Sequence, residues 1–141
     1  MIKAHPDNSR LVAEANYLAG AGYLHIFDFL TAKKNFKTVV SKYKGSAYYE
    51  DAYLCLGDVE FLQENFDQAL KVYEEFLATN PSKKRLATLY FRLSETHLKL
   101  GHADESRAYI ARLQSEFPDS FEAKDAKRLK DKDVFYTVQV G

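Results

Sequence analysis

The chain has 141 residues, 46% hydrophobic and 28% charged, a globular composition that excludes disorder and leaves enough chain for a core. Its 20 Lys and Arg balance 20 Asp and Glu, so it carries no basic footprint for nucleic acid or an acidic membrane surface. A single cysteine, Cys55, excludes an intramolecular disulfide, and no apolar run approaches the roughly 18 residues of a membrane span.

The residues after Met1 lack the basic-then-apolar pattern of an export signal. His5-Pro6-Asp7-Asn8-Ser9 has the form of a helix stop followed by a new cap, and Pro118-Asp119-Ser120 has it again. The expectation is therefore that a further repeat precedes residue 1 in the native chain. Helix one is expected from about Ser9 to Gly22 and helix two from about Phe29 to Tyr43. Gly45 is placed for a left-handed stop.

Helix three should cover about Ala47 to Leu62. Asn65, with Gln68 three residues on, has the spacing of a capping box for helix four, about Phe66 to Thr79. In that helix Ala69, Tyr73, Phe76 and Leu77 form one apolar stripe. Ser82 is placed to cap helix five, which should end near Leu100 before Gly101. Helix six follows from about Ala103 to Phe117, and Asp119 with Glu122 has the spacing of a second capping box. It would open a polar closing helix to about Lys130.

These hairpins repeat at 37 residues. Gly20, Gly57 and Ser94 keep that step, as do Ala32, Ala69 and Ser106, and Phe36, Tyr73 and Ile110. So do Phe29, Phe66 and Ala103, Lys44, Pro81 and Pro118, and Asn16, Tyr53 and Tyr90. A period of this length implies stacked helix pairs, each burying a face that it cannot bury alone. The small column predicts a close helix crossing, with Gly20, Gly57 and Ser94 facing Ala32, Ala69 and Ser106.

Tyr53, Leu56-Gly57, Phe66, Ala69, Tyr73 and Pro81 resemble the tetratricopeptide (TPR) repeat pattern. Tyr90, Leu93-Ser94, Gly101, Tyr109 and Pro118 follow it in the third repeat, and Ala19-Gly20, Tyr23, Ala32 and Phe36 in a degenerate first. Glu60 and His97 stand where the pattern has an aromatic, and Lys44 where it has Pro. The resemblance, over roughly residues 9 to 131, implies an all-α, right-handed TPR solenoid of three helix pairs plus a C-terminal capping helix. The repeats fall at about 13–46, 50–83 and 87–120, with the capping helix at about 120–131, in a domain of residues 1–132.

Residues 133–141 change character, with β-branched and aromatic residues in strand-like order. Tyr136, Val138, Gln139, Val140 and Gly141 resemble the opening strand of a SPOR domain, cut short. That resemblance implies a bacterial envelope protein whose missing SPOR part binds peptidoglycan. The repeats are similar to those of periplasmic TPR lipoproteins, BamD-like or Tol-associated, which implies a periplasmic location.

No chemistry-bearing constellation appears. His5, His25, His97 and His102 lack metal-ligand spacing, and Cys55 between Leu54 and Leu56 reads as an inert thiol in a helix. Neither a glycine-rich phosphate loop nor a Gly-x-Ser-x-Gly elbow is present. The expectation is a non-catalytic chain without cofactor or metal.

The TPR resemblance further implies that the first helix of each pair lines a concave groove. The positions concerned are Glu14 and Tyr17, then Asp51, Leu54, Asp58 and Phe61, then Thr88, Phe91 and Glu95. The Lys and Asn of a carboxylate clamp are absent, since Tyr17/Ala21, Leu54/Asp58 and Phe91/Glu95 stand there. Aromatic surface beside carboxylates suits an apolar protein or peptide segment carrying Lys or Arg. No nucleic acid partner is expected. The other readings of the residues are that Leu54 and Phe91 are core and the acids solvated, that the chain is a structural spacer self-associating through its terminal repeats, or that it is a cytoplasmic TPR adaptor.

Overall fold

The computed structural model describes residues 6–127. Six helices run in order: α1 (Pro6–His25), α2 (Phe29–Lys42), α3 (Tyr49–Leu62), α4 (Phe66–Leu77), α5 (Lys83–Lys99) and α6 (Ala103–Glu116). A seventh helical segment covers residues 121–127. The end of the expected closing helix and the strand-like tail at 133–141 lie outside the described residues. The chain divides into two compact units, Met1–Thr79 and Asn80–Gly141, and the boundary falls in the turn before Pro81. In the first unit α1 packs on α2, α2 on α3 and α3 on α4, while α1 also touches α3. In the second, α5 packs on α6.

Helix one begins earlier than its sequence suggests, because Pro6 takes the first helical position, where a missing N–H costs nothing. The turn inside each pair is a Schellman motif repeated at 37 residues. Asp28 N–H donates to Tyr23 O, Asn65 to Glu60 O and His102 to His97 O, at 2.8 to 2.9 Å. The residue before each is left-handed: Phe27 at φ 62°, Glu64 at 62° and Gly101 at 81°. Gly45 is not among the left-handed residues, so the expected glycine stop of α2 is wrong. That helix ends through Tyr43, whose N–H donates to Val39 O.

Both expected capping boxes also fail. Asn65 sits at the N-cap of α4 without a side-chain cap bond, and its amide donates instead to the Glu60 carboxylate at 3.2 Å. Ser120, not Asp119, caps the last helix, its Oγ accepting from Ala123 N–H at 3.0 Å, while Glu122 accepts from the Thr88 hydroxyl. In each case a residue on a neighbouring helix or turn outcompetes the local partner. Asp28 does cap α2, accepting from Thr31 N–H at 3.2 Å.

The first unit's core is Ala32, Phe36, Val39, Ala52, Leu56 and Val59, with Tyr17, Ala21, Leu24 and Cys55 packed against it. The nearest neighbours of the glycine column are aromatic rings of the second helix of each pair. A Cβ at Gly20 would lie 2.7 Å from the Phe36 ring, and one at Gly57 only 2.3 Å from the Tyr73 ring. The glycines are therefore seats for aromatic rings, while Ala32 and Ala69 are simply fully buried small residues. Burying each ring contributes about 2–3 kcal/mol. The third repeat changes both columns together: Ser94 replaces glycine and Ile110 replaces the ring, and both are buried.

In the second unit the Arg112 guanidinium lies 4.6 Å from the Tyr90 ring centroid and also donates to its hydroxyl at 2.6 Å. His97 is buried, stacked on Tyr109 at 5.8 Å, with its Nδ1 3.1 Å from that of His102. Glu60–Asn65 and His97–His102 occupy the same two positions of their Schellman motifs. Polar pairs there replace the usual hydrophobic contact.

Candidate functional site

Stacking of α1 against α2 and α3 brings the first groove residues together in the first unit. The Tyr17 ring stacks on Tyr48 at 5.4 Å and leans on Phe36 at 6.0 Å. The Tyr48 hydroxyl donates to Glu14 Oε2 at 2.8 Å. That bond, more than burial, raises the Tyr48 pKa above its ordinary 10.0, because ionising the phenol would set two anions together. Tyr17, Tyr48 and Glu14 thus form one aromatic and acidic face across α1 and the N-cap of α3.

Asp51 is part-buried in the first turn of α3, where the helix dipole favours a carboxylate. Asp58, one helix face further, accepts a hydrogen bond from the Tyr73 hydroxyl. Leu54 is buried at 7% exposure and belongs to the core rather than to a binding face. Phe61 sets its ring edge-on to Phe66 at 5.1 Å and closes the α3–α4 turn. Glu14 and Asp58 are therefore tied to phenols rather than simply solvated. A carboxylate accepts more than one donor, so the bond from Tyr48 leaves Glu14 able to accept a cation as well.

In the second unit Thr88 donates to Glu122 at 2.7 Å. Thr88 and Glu122 stand 74 residues beyond Glu14 and Tyr48, so the same tie recurs two repeats on. Positions picked out as groove lining thus also fasten the start of one helix pair to the next element. Phe91 is part-buried, and Glu95 lies 3.9 Å from Arg92 on the same helix.

The sequence pattern missed Tyr48 and Tyr73. Neither falls on a first-helix groove position, and only packing reveals that their hydroxyls hold the acids. Beside Tyr48 a cleft of about 580 Å³ opens at the α2–α3 turn, lined by Arg10, Lys42, Lys44 and Ser46 among others. The surface therefore changes sign across this tyrosine, acidic at Glu14 and basic at the cleft.

Among the described residues no group of three His, Cys, Asp or Glu side chains could hold a metal. Among them, too, no helix is long and apolar enough to cross a membrane. Cys55 is part-buried against the core, less enclosed than an inert core thiol would be.

The tetratricopeptide repeat family matches residues 60–129. The N-terminal domain of stress-induced protein-1 (STI-1) from C. elegans has a similar solved structure, at a TM-score of 0.71 and 18% identity, covering 90% of this chain and 99% of that one. That likeness shows the fold, a TPR-like helical repeat. No curated protein matches the chain in sequence.

Proposed function

We propose that this chain, a tetratricopeptide-repeat fold of the non-catalytic, interaction-mediating kind, is a protein–protein interaction scaffold of the bacterial cell envelope. TPR domains generally mediate protein–protein interaction. The observation that carries the finer reading is the face formed by Tyr17, Tyr48 and Glu14, with Asp51 beyond it on α3. Its rings offer apolar area at low entropic cost, and its carboxylates offer register for Lys or Arg. The partner is accordingly an apolar peptide segment with basic residues. On α5 of the second unit, Phe91 and Glu95 present the same combination.

The envelope location, and the tethering of the parent protein to peptidoglycan, rest on the phrase Tyr136 to Gly141. Cell fractionation of the native protein tests that part, and recovery in the cytoplasm refutes it in favour of a cytoplasmic adaptor.

The binding reading is tested with a random peptide display library. Glu14→Gln with Asp51→Asn removes two charges while keeping hydrogen-bond acceptors, so the tie to Tyr48 survives. The expected result is enrichment of apolar peptides with Lys or Arg by the parent chain, and loss of that enrichment by the variant at unchanged helicity. Enrichment that survives the variant, or that favours acidic peptides, overturns the assignment.

A further inference from the structure

Lys44 stands where the other two repeats have Pro81 and Pro118, and it has company. With Arg10, Lys42 and Ser46 it lines the cleft of about 580 Å³ at the α2–α3 turn, and no carboxylate is among the described residues around it. That volume lies within the roughly 300–1,000 Å³ of ligand sites. Arg10, Lys42 and Lys44 are exposed, and among the described residues none of the three is ion-paired.

The fold does not require these charges. Thirty-seven residues on, Ala47, Thr79 and Pro81 hold the same three positions. In the third repeat Lys84, Glu116 and Pro118 do, one cation against one anion. Only the first repeat gathers three cations, whose mutual repulsion a bound anion would offset. Stacking does not close this surface either. One repeat on, with a hairpin before them, Ala47 and Thr79 are exposed as well.

Tyr48 joins the cleft to the acidic face. Its hydroxyl donates to Glu14 at 2.8 Å, its ring stacks on Tyr17 at 5.4 Å, and it lines the cleft itself. The Glu14 bond raises its pKa while the Arg10 charge pulls the other way, which places Arg10 beside the same phenol. Arg10 stands one helical turn before Glu14, about 6 Å along α1. Two residues of an extended segment span about 7 Å with both side chains on one side. A helical segment covers the distance in four residues.

We propose that this cleft seats an acidic residue of the segment held by the Tyr17, Tyr48 and Glu14 face. The partner then carries Asp or Glu at a fixed step from its Lys or Arg, two residues if extended and four if helical. This rests on the peptide-binding reading and adds a direction to it. A reversed segment would set its base against Arg10 and its acid against Glu14, a repulsive arrangement at both ends.

Peptides enriched by the 141-residue chain from the random display library should carry an acid at that step. One such peptide, and a copy with the acid replaced by its amide, are titrated by fluorescence anisotropy onto the parent chain and onto Lys42→Gln with Lys44→Gln. Both lysines are exposed, so helicity should be unchanged. The amide should bind the parent about three- to tenfold more weakly than the acid, and the variant less than about twofold more weakly. The parent's preference should shrink between about 50 and about 500 mM salt. An amide penalty equal on both chains, enriched peptides without an acid, or an acid at no constant step from the base would each overturn the proposal. Failure of the underlying reading looks different. Acidic peptides lacking Lys or Arg, with the amide penalty still lost in the variant, would refute the basic preference and leave the cleft as an acid-binding site.

Discussion

Gly57→Ala should destabilise the first unit although alanine is the better helix former. In an open helix interior the exchange gains about 1 kcal/mol. Here the new Cβ would stand 2.3 Å from Tyr73 Cε1, 2.6 Å from Cδ1 and 2.8 Å from Cζ, where ordinary carbon contacts are about 3.5–4.0 Å. The ring has to retreat by more than about 1 Å. It is fully buried and its hydroxyl is held by Asp58, so it has nowhere to swing. Overpacking costs about 1–3 kcal/mol, and a contact this short lies at the upper end, leaving a net loss of about 2 kcal/mol. Urea unfolding followed by circular dichroism reads this, on the first transition if the two units unfold separately. Gly22→Ala, with open space around it, is the control and should gain up to about 1 kcal/mol. In a Tyr73→Ile background, which copies the Ser94 and Ile110 combination of the third repeat, Gly57→Ala should become neutral or stabilising. A loss undiminished in that background, or a gain equal to that of Gly22→Ala, would refute the ring-seat argument.

The Schellman turns predict effects of opposite sign at equivalent positions. Gly101→Ala should cost about 1 kcal/mol, whereas Glu64→Gly, relieving a left-handed non-glycine residue, should gain about 0.5 kcal/mol; thermal unfolding checks both. Lys33→Met should cost about 1–2 kcal/mol at neutral pH, since it leaves the Glu60 carboxylate, 5% exposed, without the ammonium 2.6 Å away. The half-exposed lysine keeps this below the cost of breaking a wholly buried pair, and adding Glu60→Gln should recover most of it. Alkali should unfold the chain early. Tyr48, held chiefly by its bond to Glu14, and Tyr53 and Tyr90, held chiefly by burial, keep their protons above the ordinary pKa of 10.0. The unfolded chain releases those protons first, so their contribution is complete below pH 10 and is lost as pH rises through the folded values. Urea midpoints between about pH 8 and pH 11 should fall at the upper end, and less steeply in Tyr48→Phe.

Helix order and repeat period were legible in the chain because both are carried by neighbours in sequence. Column pairs such as Ala32 and Ala69, or Phe36 and Tyr73, recur at 37 residues whatever their partners do, and the six helices follow within a few residues. Local capping rules carried less. Asn65–Gln68 and Asp119–Glu122 have the right spacing, yet Glu60 and Thr88 take Asn65 and Glu122, contacts that only packing presents. The left-handed turns were visible only at Gly101. Phe27 and Glu64 take the same conformation because two Schellman hydrogen bonds and the packed helices around each turn outweigh a local preference of about 1–2 kcal/mol. The groove acids show the same division. Spacing placed Glu14, Asp51 and Asp58 on first-helix faces, but the phenols that hold Glu14 and Asp58 lie 34 and 15 residues away. The ring seated on Gly57 likewise comes from the other helix of its pair. Sequence alone determined the period and the elements, since these need only neighbouring residues to agree. Tertiary structure decided which side chains satisfy one another, since that depends on how the helices are stacked and rotated, which no stretch of chain records by itself.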